Sequence, residues 1–107
     1  MKDGTYLFLR AMAMVEKLGY TVRSYQDIIQ NQHDMDLFCK ASEYGFVFFD
    51  SKKIYINMEQ PDQEIIKTLY HEIAHILQHN LDEGMADEWA DLMIKKAQRE
   101  RMAAMER

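Results

Sequence analysis

The chain has one cysteine, Cys39, and one proline, Pro61, in 107 residues. A lone cysteine excludes an internal disulfide framework, so the stability of the fold has to come from an apolar core, and a reducing, cytoplasmic setting is expected. No apolar run approaches the ~20 residues that a membrane helix needs. The opening Met1-Lys2-Asp3-Gly4 carries an acid, and no small-residue cleavage site follows the next apolar stretch, so no secretory signal is expected. Acids outnumber bases, 18 to 13. A net charge of −5 argues against a nucleic-acid-binding surface. Lys95, Lys96, Arg99 and Arg101 lie among acids and amides, as on a solvated helical face. With four glycines, no linker and no internal repeat, the length suits a single domain over 1–107.

What is present reads as alternating helix and strand. Residues 5–18, TYLFLRAMAMVEKL, are rich in helix formers. Gly19 followed by the apolar Tyr20 is a helix stop, because glycine tolerates the left-handed conformation. Residues 20–23 read as extended. Ser24 with Asp27 predicts a short helix through about Asn31 by reciprocal capping. Residues 31–36 read as a loop, and 37–41 fit strand or helix equally. GFVFFD (45–50) and KIYIN (53–57) flank Ser51-Lys52 and predict a β-hairpin. In its second strand Ile54 and Ile56 share one face, Tyr55 and Asn57 the other.

Pro61 suits a first helical turn and Asp62 can cap it. From 63 to about 79, Ile65, Leu69, Ile73 and Ile76 recur at helical spacing. Residues 79–82 read as a turn. A final helix is expected from Asp82 or Glu83 into the 100s, with Met85, Trp89, Leu92 and Met93 as its apolar face and a weakening pattern past Ala97.

The informative motif is His71-Glu72-Ile73-Ala74-His75. A catalytic zinc takes three protein ligands and keeps one position open. Two residues four apart on a helix differ by roughly 400° of rotation and project from nearly one face. His71 and His75 have that spacing on a predicted helix. Glu72, beside the first ligand, can reach a water at the metal without ligating the metal, and can take its proton. The alternative is an exposed helix face with incidental histidines.

The third ligand is less direct. His79 lies eight residues past His71, about 12 Å along an unbroken helix, which is too far for one ion. A helix C-terminal cap and a substrate-side group remain open roles for it. The Gly and third His of a metzincin pattern are absent. Glu83 is the preferred ligand, with Asp87 one turn on as acceptor for the second ring nitrogen of a ligating His. Small Ala86 and Ala90 would let the two helices approach closely. The competing reading puts both acids in the first turn of the last helix, where negative charge is favoured. Seven residues separate His75 from Glu83, so the chain must reverse at once. Asp82, Asp87 and Glu88 are the fallback ligands.

Residues 68–77, TLYHEIAHIL, followed by 86–92, ADEWADL, resemble the ImmA/IrrE-type metallopeptidases. KIYIN is similar to the strand that precedes the active helix in that family. The resemblance covers about 45–95. It implies a small α+β, zincin-like domain of the gluzincin kind, with an N-terminal helix, a short antiparallel hairpin or sheet, and an active-site helix packed on a C-terminal helix. It implies Zn2+ on His71, His75 and Glu83, with Glu72 as catalytic glutamate. Its members commonly act in bacteria and their mobile elements, and several cleave a partner transcriptional repressor. The chain departs from the family in its short segment before Glu83 and in Met85, where a second acid is frequent. No helix-turn-helix is recognisable.

The expected function is therefore zinc-dependent peptide hydrolysis on a protein or peptide substrate, with no direct nucleic-acid or membrane partner. Pairing of the strand at 53–57 with an extended peptide would supply affinity. Tyr44, Tyr55, His33 and His79 are candidates for stabilising the oxyanion. The alternative function is a zinc-binding regulatory module that holds a partner without cutting it, with Met102 and Met105 near the chain end as a candidate partner face. A zinc hydrolase acting on a non-peptide amide is a third, weaker option.

Overall fold

The computed structural model describes residues 3–25 and 44–105. The helix expected from Ser24 to Asn31, the loop 31–36 and the segment 37–41 lie outside the described residues, and so do His33 and Cys39. The elements are α1 (Asp3–Lys17), β1 (Thr21–Ser24), β2 (Gly45–Phe48), β3 (Lys53–Ile56), α2 (Asp62–Leu77) and α3 (Glu83–Met105). The class is α+β, with α2 packed on α3 as expected.

Helix α1 stops where the sequence says it should. Gly19 sits at φ +82°, the Gly19 N–H donates to the Glu16 carbonyl at 3.0 Å, and the Tyr20 N–H donates to the Val15 carbonyl at 3.0 Å. This is the paired closure that a left-handed glycine makes possible, and it satisfies carbonyls the helix would otherwise leave open. Leu7, Ala11 and Val15 carry the buried stripe of α1, which packs against α2, α3 and β1.

The sheet differs from the expected antiparallel hairpin in two respects. β3 is central: it pairs antiparallel with β2 (Phe46 opposite Tyr55) and parallel with β1 (Val22 opposite Ile54). Strand addition at 53–57 is thereby overturned, because the ladder positions of β3 are taken on both sides. The hairpin loop is also longer, running from Phe49 to Lys52. Lys52 takes the left-handed φ of 55°, and its carbonyl accepts the Thr21 N–H at 3.0 Å. The alternation in β3 holds. Ile54 and Ile56 lie in the core with Leu69, Tyr70 and Ile73 of α2, while Tyr55 packs on the other face against Phe46 and Phe48.

Helix α2 begins at Asp62, with Pro61 at the N-cap position, and no side chain caps it. Asp62 therefore acts as an acid in the first turn, favourable to the helix dipole, and not as the expected cap. The helix ends at Leu77, two residues early, because Gln78 turns to an extended conformation. Its buried surface is wider than the four-isoleucine/leucine stripe: Ile66, Thr68, Tyr70, Glu72 and Ala74 are buried as well.

Helix α3 corrects the expected apolar face. Met85 and Leu92 are exposed, whereas Ala86, Ala90 and Ala97 are buried, with Trp89, Met93 and Ile94 packed beside them. A helix pressed against another at close range buries its small residues, and the bulky ones flank the seam. The helix also continues to Met105, held at its far end by Arg10–Glu100 (2.6 Å) and by Arg101 over the Tyr6 ring.

Gly45 is the tightest point between sheet and helix. A Cβ there would lie 2.7 Å from Thr68 Cγ2 and 2.8 Å from the Tyr55 carbonyl oxygen. Both neighbours are fixed, one by a helix and one by the central strand. Gly45→Ala is expected to lower stability by about 1–3 kcal/mol, as overpacking does. Urea denaturation monitored by circular dichroism checks this, and an unchanged midpoint would refute the close packing.

Candidate metal centre

Helix α2 presents His71 and His75 on one face, and the first turn of α3 brings Glu83 against them. His71 Nε2 lies 2.7 Å from Glu83 Oε2, and His75 Nε2 lies 3.0 Å from Glu83 Oε1. The two Nε2 atoms are 3.1 Å apart. Among the described residues, His71, His75 and Glu83 form the group of ligating side chains that could hold a metal ion.

The donor chemistry supports that statement. The other ring nitrogen of His71, Nδ1, lies 2.7 Å from Asp87 Oδ1. With the ring proton on Nδ1 toward Asp87, Nε2 of His71 would present its lone pair to the group. His71 Nε2, His75 Nε2 and the Glu83 carboxylate face one another at hydrogen-bond distance. Such an arrangement is repulsive unless a proton or a cation lies among the atoms. Zinc bonds of about 2.0–2.1 Å at tetrahedral angles put neighbouring ligand atoms about 3.3 Å apart, close to the separations observed. The residues present could hold a metal ion.

The tight link from α2 to α3 is built locally. The Leu81 N–H donates to the Gln78 carbonyl at 3.1 Å, closing a turn directly after the helix. Asp82 then caps α3, with Oδ1 accepting the Met85 N–H at 2.8 Å. Asp82 is thus a cap and not a fallback ligand. Glu88 lies outside the group, and Asp87 serves as the acceptor for His71. Fully buried Ala86 and Ala90 let α3 approach α2 closely enough for Glu83 and Asp87, one turn apart, to bracket the His71 ring. The Glu83 side chain remains 80% exposed, so its place depends on the helix start and the two imidazoles.

Glu72 is buried at 5% exposure behind the group. Burial pushes its carboxyl up to about 7; the nearby His71 opposes this and the Glu83 charge adds to it. Its carboxyl borders two clefts of about 360 Å3 each that meet at Gly45, Glu72 and Glu83. Tyr44, Glu64, Lys67, Thr68 and Asp87 line the first. Phe46, Val47, Phe49, His79 and Leu81 line the second. Sequence reading did not anticipate the part of Glu64, Lys67 and Phe49, because cleft walls depend on how the hairpin and helices are juxtaposed. Of the oxyanion candidates, Tyr44 and His79 reach a cleft. Tyr55 is buried in the aromatic face of the sheet and lines neither cleft.

Comparison of the chain with family models, with curated proteins and with solved structures finds no match.

Two measurements follow. Removing the outer acceptor by Asp87→Asn should weaken metal affinity about 10–100-fold while leaving the fold intact; competition with a chromophoric chelator reads this, and equal affinities would remove Asp87 from the site. In metal-free protein, Glu72 keeps its proton in the folded state between its ordinary 4.5 and about 7, while the unfolded chain has lost it. Its contribution is therefore fully present below 4.5 and is lost as pH rises through about 7. The stability of the wild type relative to Glu72→Gln should fall over that window, by about 3 kcal/mol, in denaturation series at stepped pH.

Proposed function

We propose that the chain is a zinc-dependent endopeptidase of the gluzincin kind, related to the ImmA/IrrE-type metallopeptidases. The observation that carries this reading is the convergence of His71, His75 and Glu83 beside the buried carboxyl of Glu72, at the junction of two clefts. Two imidazoles and one carboxylate are a donor set suited to zinc. Zinc held there supplies Lewis acidity that brings the pKa of water down toward neutrality and polarises a carbonyl.

The chain's own residues supply the rest. Asp87 holds the His71 ring in one tautomer and one direction through Nδ1. The Glu72 carboxylate takes a proton from the attacking water as the carbonyl carbon gains its new C–O bond. It returns that proton to the amide nitrogen as the C–N bond breaks, so a peptide plus water gives an acid and an amine. A positive charge at the histidines favours the ionised form of Glu72 that accepts the proton, offsetting the burial that raises its pKa. The walls formed by β2 and α2 leave room for a peptide chain on either side of the metal group.

The substrate class is a protein or peptide. The resemblance points to a transcriptional repressor as partner, and the lone cysteine to a cytoplasmic setting. Among the described residues, no helix is long and apolar enough to cross a membrane.

Glu72→Gln is the decisive variant. It should retain one zinc per chain by atomic absorption and lose peptidase activity on a degenerate decapeptide library by about 10²–10⁴-fold. A wild type that takes up no stoichiometric zinc would sink the proposal. A wild type that holds zinc but cleaves nothing would turn the reading toward a binding module.

A further inference from the structure

The cleft on the His75 side contains one polar side chain that the proposed chemistry leaves unused, His79. Helix α2 ends at Leu77, and Gln78 at φ −146°, ψ 100° carries the chain off the helix axis. His79 is thereby removed from the ligand row. Its ring lies flat on Phe49 at the hairpin tip, with centroids 3.8 Å apart and planes inclined by 22°. It lines the same cleft as Glu72, His75 and Glu83.

Stacking of this kind uses the faces of the ring. The two nitrogens lie in the ring plane, so the contact with Phe49 leaves their hydrogen-bonding capacity unspent. Among the described residues neither nitrogen has a hydrogen-bond partner. An exposed histidine is ordinarily a free rotor that pays rotamer entropy on engaging a ligand. Here the hairpin holds the ring before any ligand arrives, inside a cleft bordered by the metal group. A polar edge held in place without a protein partner is what a bound peptide backbone requires, since each buried carbonyl that enters the cleft must find a donor.

We propose that His79 is a substrate-contacting residue: its ring N–H donates to a carbonyl oxygen of the peptide in this cleft, and Phe49 positions the ring for that bond. The proposal rests on the peptide-cleft reading above. It assigns the residue to peptide binding on the His75 side of the metal group, and not to metal ligation or to capping of α2.

His79→Phe keeps an aromatic ring to stack on Phe49 and removes both nitrogens. In the zinc-loaded protein it should leave zinc content and melting temperature unchanged and lower kcat/KM on the decapeptide library by about tenfold or more. Capture of the same library by immobilised Glu72→Gln, with and without His79→Phe, reads binding apart from turnover and should show a comparable loss. Phe49→Ala, which frees the ring without touching its nitrogens, should give a smaller loss in both assays. The proposal is overturned if His79→Phe matches its parent in cleavage and capture, or if it loses zinc. If the wild type cleaves nothing but capture falls with His79→Phe, the peptidase reading fails and the assignment of His79 stands. If nothing is cleaved and nothing captured, both fall.

Discussion

The close approach of α2 and α3 is the constraint on which the site depends. The grouped side chains come from both helices, and the link between them is only five residues, 78–82. Bulky side chains in the seam would hold the axes apart and carry Glu83 out of reach of the histidines. Ala86 and Ala90, both fully buried, remove that obstacle. Asp82 contributes by fixing where α3 starts, and hence which residues of its first turn face the imidazoles. The site is therefore assembled by packing and capping, with Glu83 itself scarcely enclosed.

The sheet contributes the opposite wall. β3, paired on both sides, is the rigid member, and Ile54 and Ile56 anchor it to α2. β2 rides on β3 and meets α2 at Gly45, where the absence of a side chain lets strand and helix touch near Thr68. That contact lies in the lining shared with Glu72, whose carboxyl burial pushes up to about 7. A residue that must be small for packing thus lines the same clefts as a buried carboxyl.

Much of this was legible in the sequence. Helical spacing placed His71 and His75 on one face, and the i, i+4 acids Glu83 and Asp87 come to opposite ring nitrogens of His71. Local signals also served well at Gly19, whose left-handed φ closes α1, and in the alternation of β3. Failures came where an outcome depends on partners distant in sequence. The parallel pairing of β1 with β3 is not written in either strand. On α3 the small Ala86 and Ala90 form the seam as expected and Trp89 and Met93 pack beside it, but Met85 and Leu92, assigned to the apolar face, are exposed, because geometry at a tight helix crossing rewards small size over hydrophobicity. Asp62 and Asp82 show the same limit at smaller scale, since both could cap a helix and only Asp82 does.

The length of α3 has a mechanical consequence. Its first residue, Glu83, lies against His71 and His75, while Glu100 is fastened to Arg10 of α1. Seventeen residues of helix put these points about 25 Å apart on one stiff rod. The alanine seam holds the rod near its Glu83 end, and its far end is located by contacts with α1. Contacts such as Arg10–Glu100 and Tyr6–Arg101 thus fasten the far end of the same rod to α1, so that one rigid element links the N-terminal helix to the cluster at Glu83.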